Sequence, residues 1–154
     1  DMVLKIKAAR KTANDFGNYD FIINGRTDSL IAFENRKDGL IEAAKRANLY
    51  LEAGADMAFV TNVKTLDEVK FLVKEIDGKL SIAAGLPYNI NNFSINELID
   101  LGVTRVSLPT ILINSTMKTI ISSLEIIKNG NFNDLIKNNL LCNNDEFLKN
   151  IKSF

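Results

Sequence analysis

The residues best suited to chemistry close the stretch YDFIINGRTD, residues 19–28. A short run of aromatic and β-branched residues bounded by turn formers predicts a buried strand, and this run ends in Arg26, Thr27 and Asp28. Charged residues at the end of a strand are typical of a strand that delivers side chains to a site. Arg26 could instead pair with Asp28 or Glu34 at the rim of a sheet, and Asp28 could form a turn by accepting hydrogen bonds from nearby main-chain amides.

Further polar residues follow the other predicted strands. Thr61 and Asn62 come directly after an apolar run, and Asn89 lies beside Tyr88 in the loop sequence GLPYNINN. These side chains could bind a substrate, although Asn is also a common turn residue and an ordinary loop has the same composition. Arg105 lies inside the fourth predicted strand, and we interpret it as structural.

The chemistry open to this chain is limited by the residues it lacks. None of the 154 residues is a histidine, which leaves carboxylates, Lys, Tyr, Arg, a metal or water for catalysis. The single cysteine, Cys142, is predicted to lie in a helix and to pack there rather than act as a nucleophile. One cysteine cannot form an internal disulfide, which fits a reducing compartment.

Charge and hydropathy exclude several classes of partner. The chain has 19 basic and 19 acidic residues, so a nucleic acid or an anionic membrane has no electrostatic support as a partner. No apolar run approaches the roughly 20 residues of a membrane span, and no signal-peptide pattern opens the sequence. We therefore expect a cytoplasmic protein.

The elements that must position these residues follow from periodicity and capping signals. A helix over about residues 2–16 is followed by strands near residues 20–25, 57–60, 80–84 and 103–108, each with a helix behind it. Capping boxes at Thr65 and at Ser94 begin two of these helices. The connection over residues 27–38 is polar and longer than usual, which is common in functional loops.

This order of elements predicts an α/β chain in one domain, residues 1–154. Strands that alternate with helices are parallel and joined by right-handed crossovers, and either a barrel or an open doubly wound sheet satisfies that pattern. In both architectures ligands bind at the carboxyl ends of the strands, where the polar residues described above would gather. Helices over about residues 133–141 and 145–151 follow a long helix that carries an apolar stripe, which we expect to be packed.

Three segments, in this order, resemble the isocitrate lyase and phosphoenolpyruvate mutase superfamily. They are NGRTD after the first strand, AAKRANLYLEAGADMAFV, and INELIDLGVTRVS. The resemblance covers about residues 2–127 and implies a TIM-type (β/α)8 barrel of which this chain supplies about the last four βα units plus C-terminal helices. The first residues look helical without a preceding cap, which also favours one part of a longer protein.

The resemblance implies an enzyme that makes or breaks a carbon–carbon or phosphorus–carbon bond beside a small oxo- or hydroxy-carboxylate. Its Mg²⁺ ligands and catalytic residues would lie before Asp1, so this chain alone is expected to be inactive. Arg26 matches the Arg of the RTD motif and would bind the substrate carboxylate, a task that suits a planar guanidinium. Asp28, Thr61, Asn62 and Asn89 complete the expected substrate-binding set.

Three alternatives to the simplest interpretation stay open. Lyases and mutases of this superfamily often carry a Glu where this chain has Thr61 and Asn62, which also leaves mutase-like or decarboxylase-like relatives as candidates. A phosphate-binding metabolic barrel is a further alternative, although the loops GLPYN and LPTIL lack the paired glycines of such sites. A catalytically incomplete half-barrel is the third.

The resemblance also implies a homo-oligomer. In relatives of this kind the last long helix is often exchanged between neighbouring subunits, and the apolar stripe from Ile113 to Ile127 is compatible with that arrangement. The expected ligand is a small carboxylate.

Overall fold

A computed structural model describes residues 1–152 of the chain. Residues 1–109 form one compact unit, and the residues from Thr110 onwards form a second. The first unit contains, in chain order, α1 (Met2–Asp15), β1 (Asn24–Thr27), α2 (Ser29–Ala32), α3 (Arg36–Glu52), β2 (Met57–Val60), α4 (Leu66–Glu75), β3 (Leu80–Ala83), α5 (Ile95–Asp100) and β4 (Arg105–Ser107). No helix in this described range is long and apolar enough to cross a membrane.

The four strands form one parallel sheet in the order β1-β2-β3-β4. Each strand therefore lies beside the next strand in the sequence, which requires a crossover connection between every pair. The predicted succession of four parallel strands is confirmed.

One face of the sheet carries the hydrophobic core. Ala58, Val60, Leu80 and Ile82 are at most 2% exposed and pack with buried residues of α3 and α4. Burial of each large aliphatic side chain of this kind stabilises the fold by about 1.5–3 kcal/mol. Because side chains alternate along a strand, the residues between these core positions point to the opposite face.

Helix α3 lies close to the sheet because its inner face is built from small side chains. Ala43 and Ala47 in this helix are fully buried. In β1, Gly25 permits the same close approach, since a Cβ atom at this position would lie 3.0 Å from the Cβ atom of Tyr50. Small residues on both elements thus let the helix and the sheet approach closely.

Local capping fixes where the helices begin. At α4 the Thr65 hydroxyl accepts a hydrogen bond from the Glu68 main-chain N–H at 3.3 Å, and the Glu68 carboxylate accepts one from the Thr65 N–H at 3.4 Å. Ser94 and Glu97 form the second predicted capping box, at α5. Helix α3 ends before Gly54, whose φ of +103° is a conformation that other residues rarely adopt.

The first strand begins later than predicted, at Asn24 rather than near Asp20. Phe21 and Ile22 are 52% and 65% exposed, so these apolar residues do not belong to the buried sheet. The Ile23 N–H donates to the Asp56 carboxylate at 2.6 Å. The Asp56 carboxylate thus binds the Ile23 N–H, and the regular pairing with β2 begins at Asn24.

Three other details of the predicted elements differ from the structure. Strand β4 starts at Arg105 because Val103 still donates to the Leu98 carbonyl and so closes the end of α5. The polar connection after β1 contains the short helix α2 rather than only loop. The first helix does have a cap, since the Asp1 carboxylate accepts a hydrogen bond from the Val3 N–H at 3.0 Å.

The second unit contains three helices, α6 (Ile111–Lys128), α7 (Asn133–Lys137) and α8 (Asn144–Lys152). The apolar stripe of α6 is exposed rather than packed in the described chain; its residues are Ile113, Met117, Ile120, Leu124 and Ile127. Cys142 is exposed and lies between α7 and α8, so its prediction as a packed helical residue is wrong. The prediction of a single domain stays a prediction.

The core assignment predicts that replacing a buried leucine lowers the free energy of unfolding far more than replacing an exposed one. Leu72 is fully buried in α4, and we expect Leu72→Ala to lower the free energy of unfolding by about 2–5 kcal/mol through lost burial and the cavity left behind. The matched control Leu4→Ala, at a side chain that is 64% exposed, should change it by less than about 0.5 kcal/mol. Urea unfolding followed by circular dichroism measures both, and equal effects would contradict the assignment.

Candidate functional site

A cleft of about 490 Å³ lies over the sheet face that points away from the hydrophobic core, within the first unit. Its walls come from the strands and from the loops after them. Residues that line it are Asn24, Arg26, Ile31, Phe59, Thr61, Asn62, Ala83, Leu86, Tyr88, Arg105, Ser107 and Pro109. The cleft thus lies where the sequence predicts a site, and it contains Arg26, Thr61 and Asn62 of the expected set.

The strand register places four cleft-side residues in one row across the sheet. Arg26 pairs with Phe59, Phe59 with Ser81, and Ser81 with Arg105. Residues paired laterally in a parallel sheet point to the same face. The row therefore has a guanidinium at each end, with an aromatic ring and a hydroxyl between them.

Arg26 is held at the first strand by two neighbours. Its Nε and Nη2 atoms lie 2.9 Å and 2.8 Å from Asp28 Oδ1, and its guanidinium carbon lies 5.8 Å from the centre of the Phe59 ring. The Arg26 side chain is 56% exposed, so this pair adds little to stability, but it limits the positions open to the guanidinium.

Asp28 connects β1 to β2 through Thr61. The Thr61 hydroxyl donates to Asp28 Oδ1 at 2.6 Å. This hydrogen bond, and then the one from Arg26, hold the pKa of Asp28 below its ordinary value. Asp28 is thus a carboxylate at neutral pH and orients Arg26 instead of serving as a proton donor.

A second arginine, Arg36, ties the loops after β1 and β2 together. Its Nε and Nη2 atoms donate to the two carboxylate oxygens of Glu68 at 2.6 Å and 2.8 Å. Its Nη1 atom donates to the Leu30 carbonyl at 3.0 Å and to Asn62 Oδ1 at 3.1 Å. These contacts hold Asn62 at a φ of +61°, a region that residues other than glycine seldom occupy.

Glu68 is the buried partner of this pair, with a side chain only 11% exposed. Burial acts to raise its pKa, but hydrogen bonds from Arg36 and from the Lys64 main-chain N–H outweigh that effect and leave the pKa lowered. Glu68 is therefore ionised at neutral pH, and its charge needs Arg36.

Two further residues give the cleft polar groups. Tyr88 is half-buried, and this burial raises the pKa of its phenol, so the hydroxyl stays protonated at neutral pH and can donate a hydrogen bond. The Oδ1 atom of Asn24 is buried and has no hydrogen-bond partner among the described residues. It is an acceptor that a ligand or water can use.

Asn89 has a different surrounding from the other predicted residues. It is 1% exposed, and its amide nitrogen donates to the Val63 carbonyl at 2.9 Å and to the Ala83 carbonyl at 3.0 Å. Its Oδ1 atom accepts from the Leu86 N–H at 3.0 Å. The amide therefore holds the loops after β2 and β3 together, and a ligand would have to compete with these three bonds.

Sequence reasoning missed Asn24, Phe59 and Arg36 and assigned Arg105 to structure alone. Period-two alternation could have found Arg105, because it lies two residues before Ser107 and hence on the same face of β4. No sequence signal marks Arg36, whose partner Glu68 is 32 residues away.

The described residues do not form a metal site of their own. No group of three or more His, Cys, Asp or Glu side chains among residues 1–152 is arranged to hold a metal ion. The described residues that line the cleft include no carboxylate, and the nearby Asp28 already accepts bonds from Arg26 and Thr61. A divalent cation would need ligands other than these.

Comparison with known proteins adds a family and several relatives. The family described as phosphoenolpyruvate phosphomutase matches residues 1–128. A chloroplastic carboxyvinyl-carboxyphosphonate phosphorylmutase of Arabidopsis thaliana is 40% identical over 74 residues, which are 48% of this chain and 20% of that protein. The petal death protein of Dianthus caryophyllus is 45% identical over 67 residues, 44% of this chain and 19% of the relative.

The fold is shared with solved structures. A protein of Burkholderia cenocepacia J2315 described as a phosphonomutase superposes with a TM-score of 0.69 and 26% identity, over 83% of this chain and 49% of that one. The chain thus spans about half of this structure, and its matches span about a fifth of each curated relative.

The Arg36–Glu68 pair should matter for stability. We expect Arg36→Gln to lower the free energy of unfolding by roughly 2–3 kcal/mol at pH 7, because it leaves the Glu68 carboxylate buried without its main donor. The control Arg46→Gln removes a partly exposed pair with Glu42, one turn earlier on the same helix, and should cost about 0.3–0.5 kcal/mol. Urea unfolding measures both changes.

The difference in free energy of unfolding between wild type and Arg36→Gln should depend on pH with a defined sign. Because the pKa of Glu68 is lowered in the folded protein, its stabilising effect is full above the unfolded pKa and is lost as the pH falls through the folded pKa. The gap between wild type and Arg36→Gln should therefore narrow in acid. A gap that widens there would contradict the pair as described.

The hydroxyl of Thr61 should lower the pKa of Asp28. Thr61→Val keeps the side-chain shape but removes the donor, so the pKa of Asp28 should rise toward its ordinary value. Carbon-detected NMR titration of the carboxyl group measures this, with Thr12→Val on the exposed surface of α1 as the control. An unchanged pKa in Thr61→Val would show that the contact is not made in solution.

Proposed function

The chain belongs to the phosphoenolpyruvate phosphomutase family, and we propose that it provides the carboxylate-binding edge of a Mg²⁺-dependent lyase, mutase or decarboxylase. The resemblance to the superfamily is confirmed by this match. The predicted fold class is confirmed as well, since the four parallel βα units superpose on structures of this superfamily. The proposed substrate is a small oxo- or hydroxy-carboxylate.

The observation that carries this proposal is the position of Arg26. It lies near the carboxyl end of β1, lines the cleft, and is oriented by Asp28, which itself is held by Thr61. Nε and Nη2 face Asp28, so the edge of the guanidinium that carries Nη1 is directed away from the carboxylate. That edge can donate to the carboxylate of a ligand in the cleft.

The same contact suits the chemistry of bond cleavage beside a carbonyl. When a carbon–carbon or phosphorus–carbon bond next to a carbonyl breaks, the electron pair left behind is stabilised as an enolate. A positioned guanidinium stabilises such developing negative charge without having to reorganise. The protonated hydroxyl of Tyr88 offers a second donor at the same cleft.

The Mg²⁺ dependence is proposed from the family, and the described residues supply no ligand cluster for the ion. Mg²⁺ would provide positive charge at the oxygens of the substrate. We propose that its ligands are other residues of the working enzyme, and no role for Arg26 depends on contact with the metal.

The decisive test is turnover by the full-length protein. Oxaloacetate, methylisocitrate and phosphonopyruvate are assayed with Mg²⁺ and again after removal of the metal with EDTA, and we expect activity on one of them that EDTA abolishes. Arg26→Gln should lower kcat/KM by about 10²–10³-fold, as expected for loss of a donor to the transition state.

Arg46→Gln is the matched control because it removes the same charge from the outer surface of α3, and it should leave kcat/KM within twofold. Full activity of Arg26→Gln would refute the role of Arg26. Absence of turnover on all three substrates would refute this choice of substrates.

A further inference from the structure

We propose that Arg105 is a second anion-binding residue of the cleft, and that the ligand is a dianion held between Arg26 and Arg105. This inference rests on the proposed function for the carboxylate at Arg26, and it adds Arg105 as the residue that binds the second anionic group of the ligand. That group is a carboxylate or a phosphonate, which share the negative charge and the paired oxygens that a guanidinium recognises.

The strand register carries the first part of the argument. Arg26 and Arg105 lie at the two ends of the row Arg26, Phe59, Ser81 and Arg105, on β1 and β4. Residues of one row share a face, so both guanidiniums belong to the cleft side of the sheet, and both line the cleft. Arg105 is therefore not directed into the hydrophobic core.

The hydrogen bonds of Arg105 carry the second part. Its Nη1 atom donates to Ser81 Oγ at 3.1 Å, which holds the base of the guanidinium against β3. No carboxylate among residues 1–152 forms an ion pair with Arg105, whereas Arg26 has Asp28. Two guanidiniums therefore line the cleft, and among the described residues Arg26 has a carboxylate partner whereas Arg105 has none.

The spacing of the two cations fits a short dianion. Arg26 lies over Phe59 and Arg105 is bound to Ser81, so the two guanidiniums lean over neighbouring strands. Because β1 and β4 are three strand spacings apart, their backbones are about 14 Å from each other. The lean of each side chain toward a neighbouring strand brings the two charges closer, to roughly 5–10 Å. Anionic groups joined by two or three carbon atoms can reach both guanidiniums.

One other arrangement would also use the free charge of Arg105, namely an ion pair with an acidic side chain outside the described residues. In that case Arg105 would stabilise the protein but would not discriminate between ligands. Measuring the preference for dianions separates the two roles, because only direct contact with the ligand makes that preference depend on Arg105.

The test is isothermal titration calorimetry on the full-length protein at constant ionic strength. The probes are succinate and 3-phosphonopropionate as dianions, and butyrate as a monoanion of the same chain length as succinate. We expect at least one dianion to bind the wild type about 10- to 100-fold more tightly than butyrate, as one charged hydrogen-bonded contact supports.

Each variant then has its own expected result. Arg105→Gln should remove the preference for the dianion and leave the affinity for butyrate within twofold, while Arg26→Gln should weaken all the probes. Arg46→Gln, with the same charge change outside the cleft, should retain the full preference. If circular dichroism shows that Arg105→Gln does not fold, Arg105→Lys is used instead, and its loss of the planar fork should reduce the preference.

The inference is overturned if neither dianion binds the wild type more tightly than butyrate, or if the folded Arg105 variant retains the full preference. Its failure can be told from failure of the proposed function. Arg105-dependent binding of a dianion without turnover would refute the enzyme substrates and support the site. Turnover together with a preference for dianions that does not depend on Arg105 would support the enzyme substrates and refute the site at Arg105.

Discussion

The in-register pairing of four parallel strands is the constraint on which the rest of the structure depends. It places Arg26, Phe59, Ser81 and Arg105 side by side, although they come from sequence positions far apart. The alternate positions of the same strands are buried under α3 and α4. Slipping one strand by a single residue would move its core side chains to the cleft side and separate the arginines. Packing of the core therefore fixes the geometry of the cleft.

Above the sheet, a set of charged hydrogen bonds arranges the loops. Arg36 joins the loop after β1 to Asn62 and Glu68, and Asn89 joins the loops after β2 and β3. Unlike the exposed Arg26–Asp28 pair, the Arg36–Glu68 pair is largely withdrawn from water, so its geometry is costly to break. The two pairs therefore have different roles. The Arg26–Asp28 pair orients a guanidinium at the cleft, and the Arg36–Glu68 pair holds the loops beside the cleft in place.

The prediction from sequence succeeded where local signals decide the structure. Apolar runs located β2 and β3, and the capping boxes at Thr65 and Ser94 located α4 and α5. It failed where a distant side chain decides the outcome, as at the start of β1, where Asp56 binds the Ile23 N–H. Asn89 shows the same limit of prediction from sequence. The sequence of its loop does not distinguish an amide that binds a ligand from one that is already bonded to three main-chain groups.

The sequence by itself determined the parallel α/β pattern, the superfamily and the importance of the residues after the first strand, since these rest on periodicity and on contiguous motifs. The tertiary structure alone decided that Thr61 would hold Asp28, that Arg36 would bind Glu68, and that Arg105 would face the same cleft as Arg26. The residues in each of these three cases lie about 30 to 80 positions apart. The energy of a contact between distant residues depends on burial and angle, which no local pattern of residues encodes.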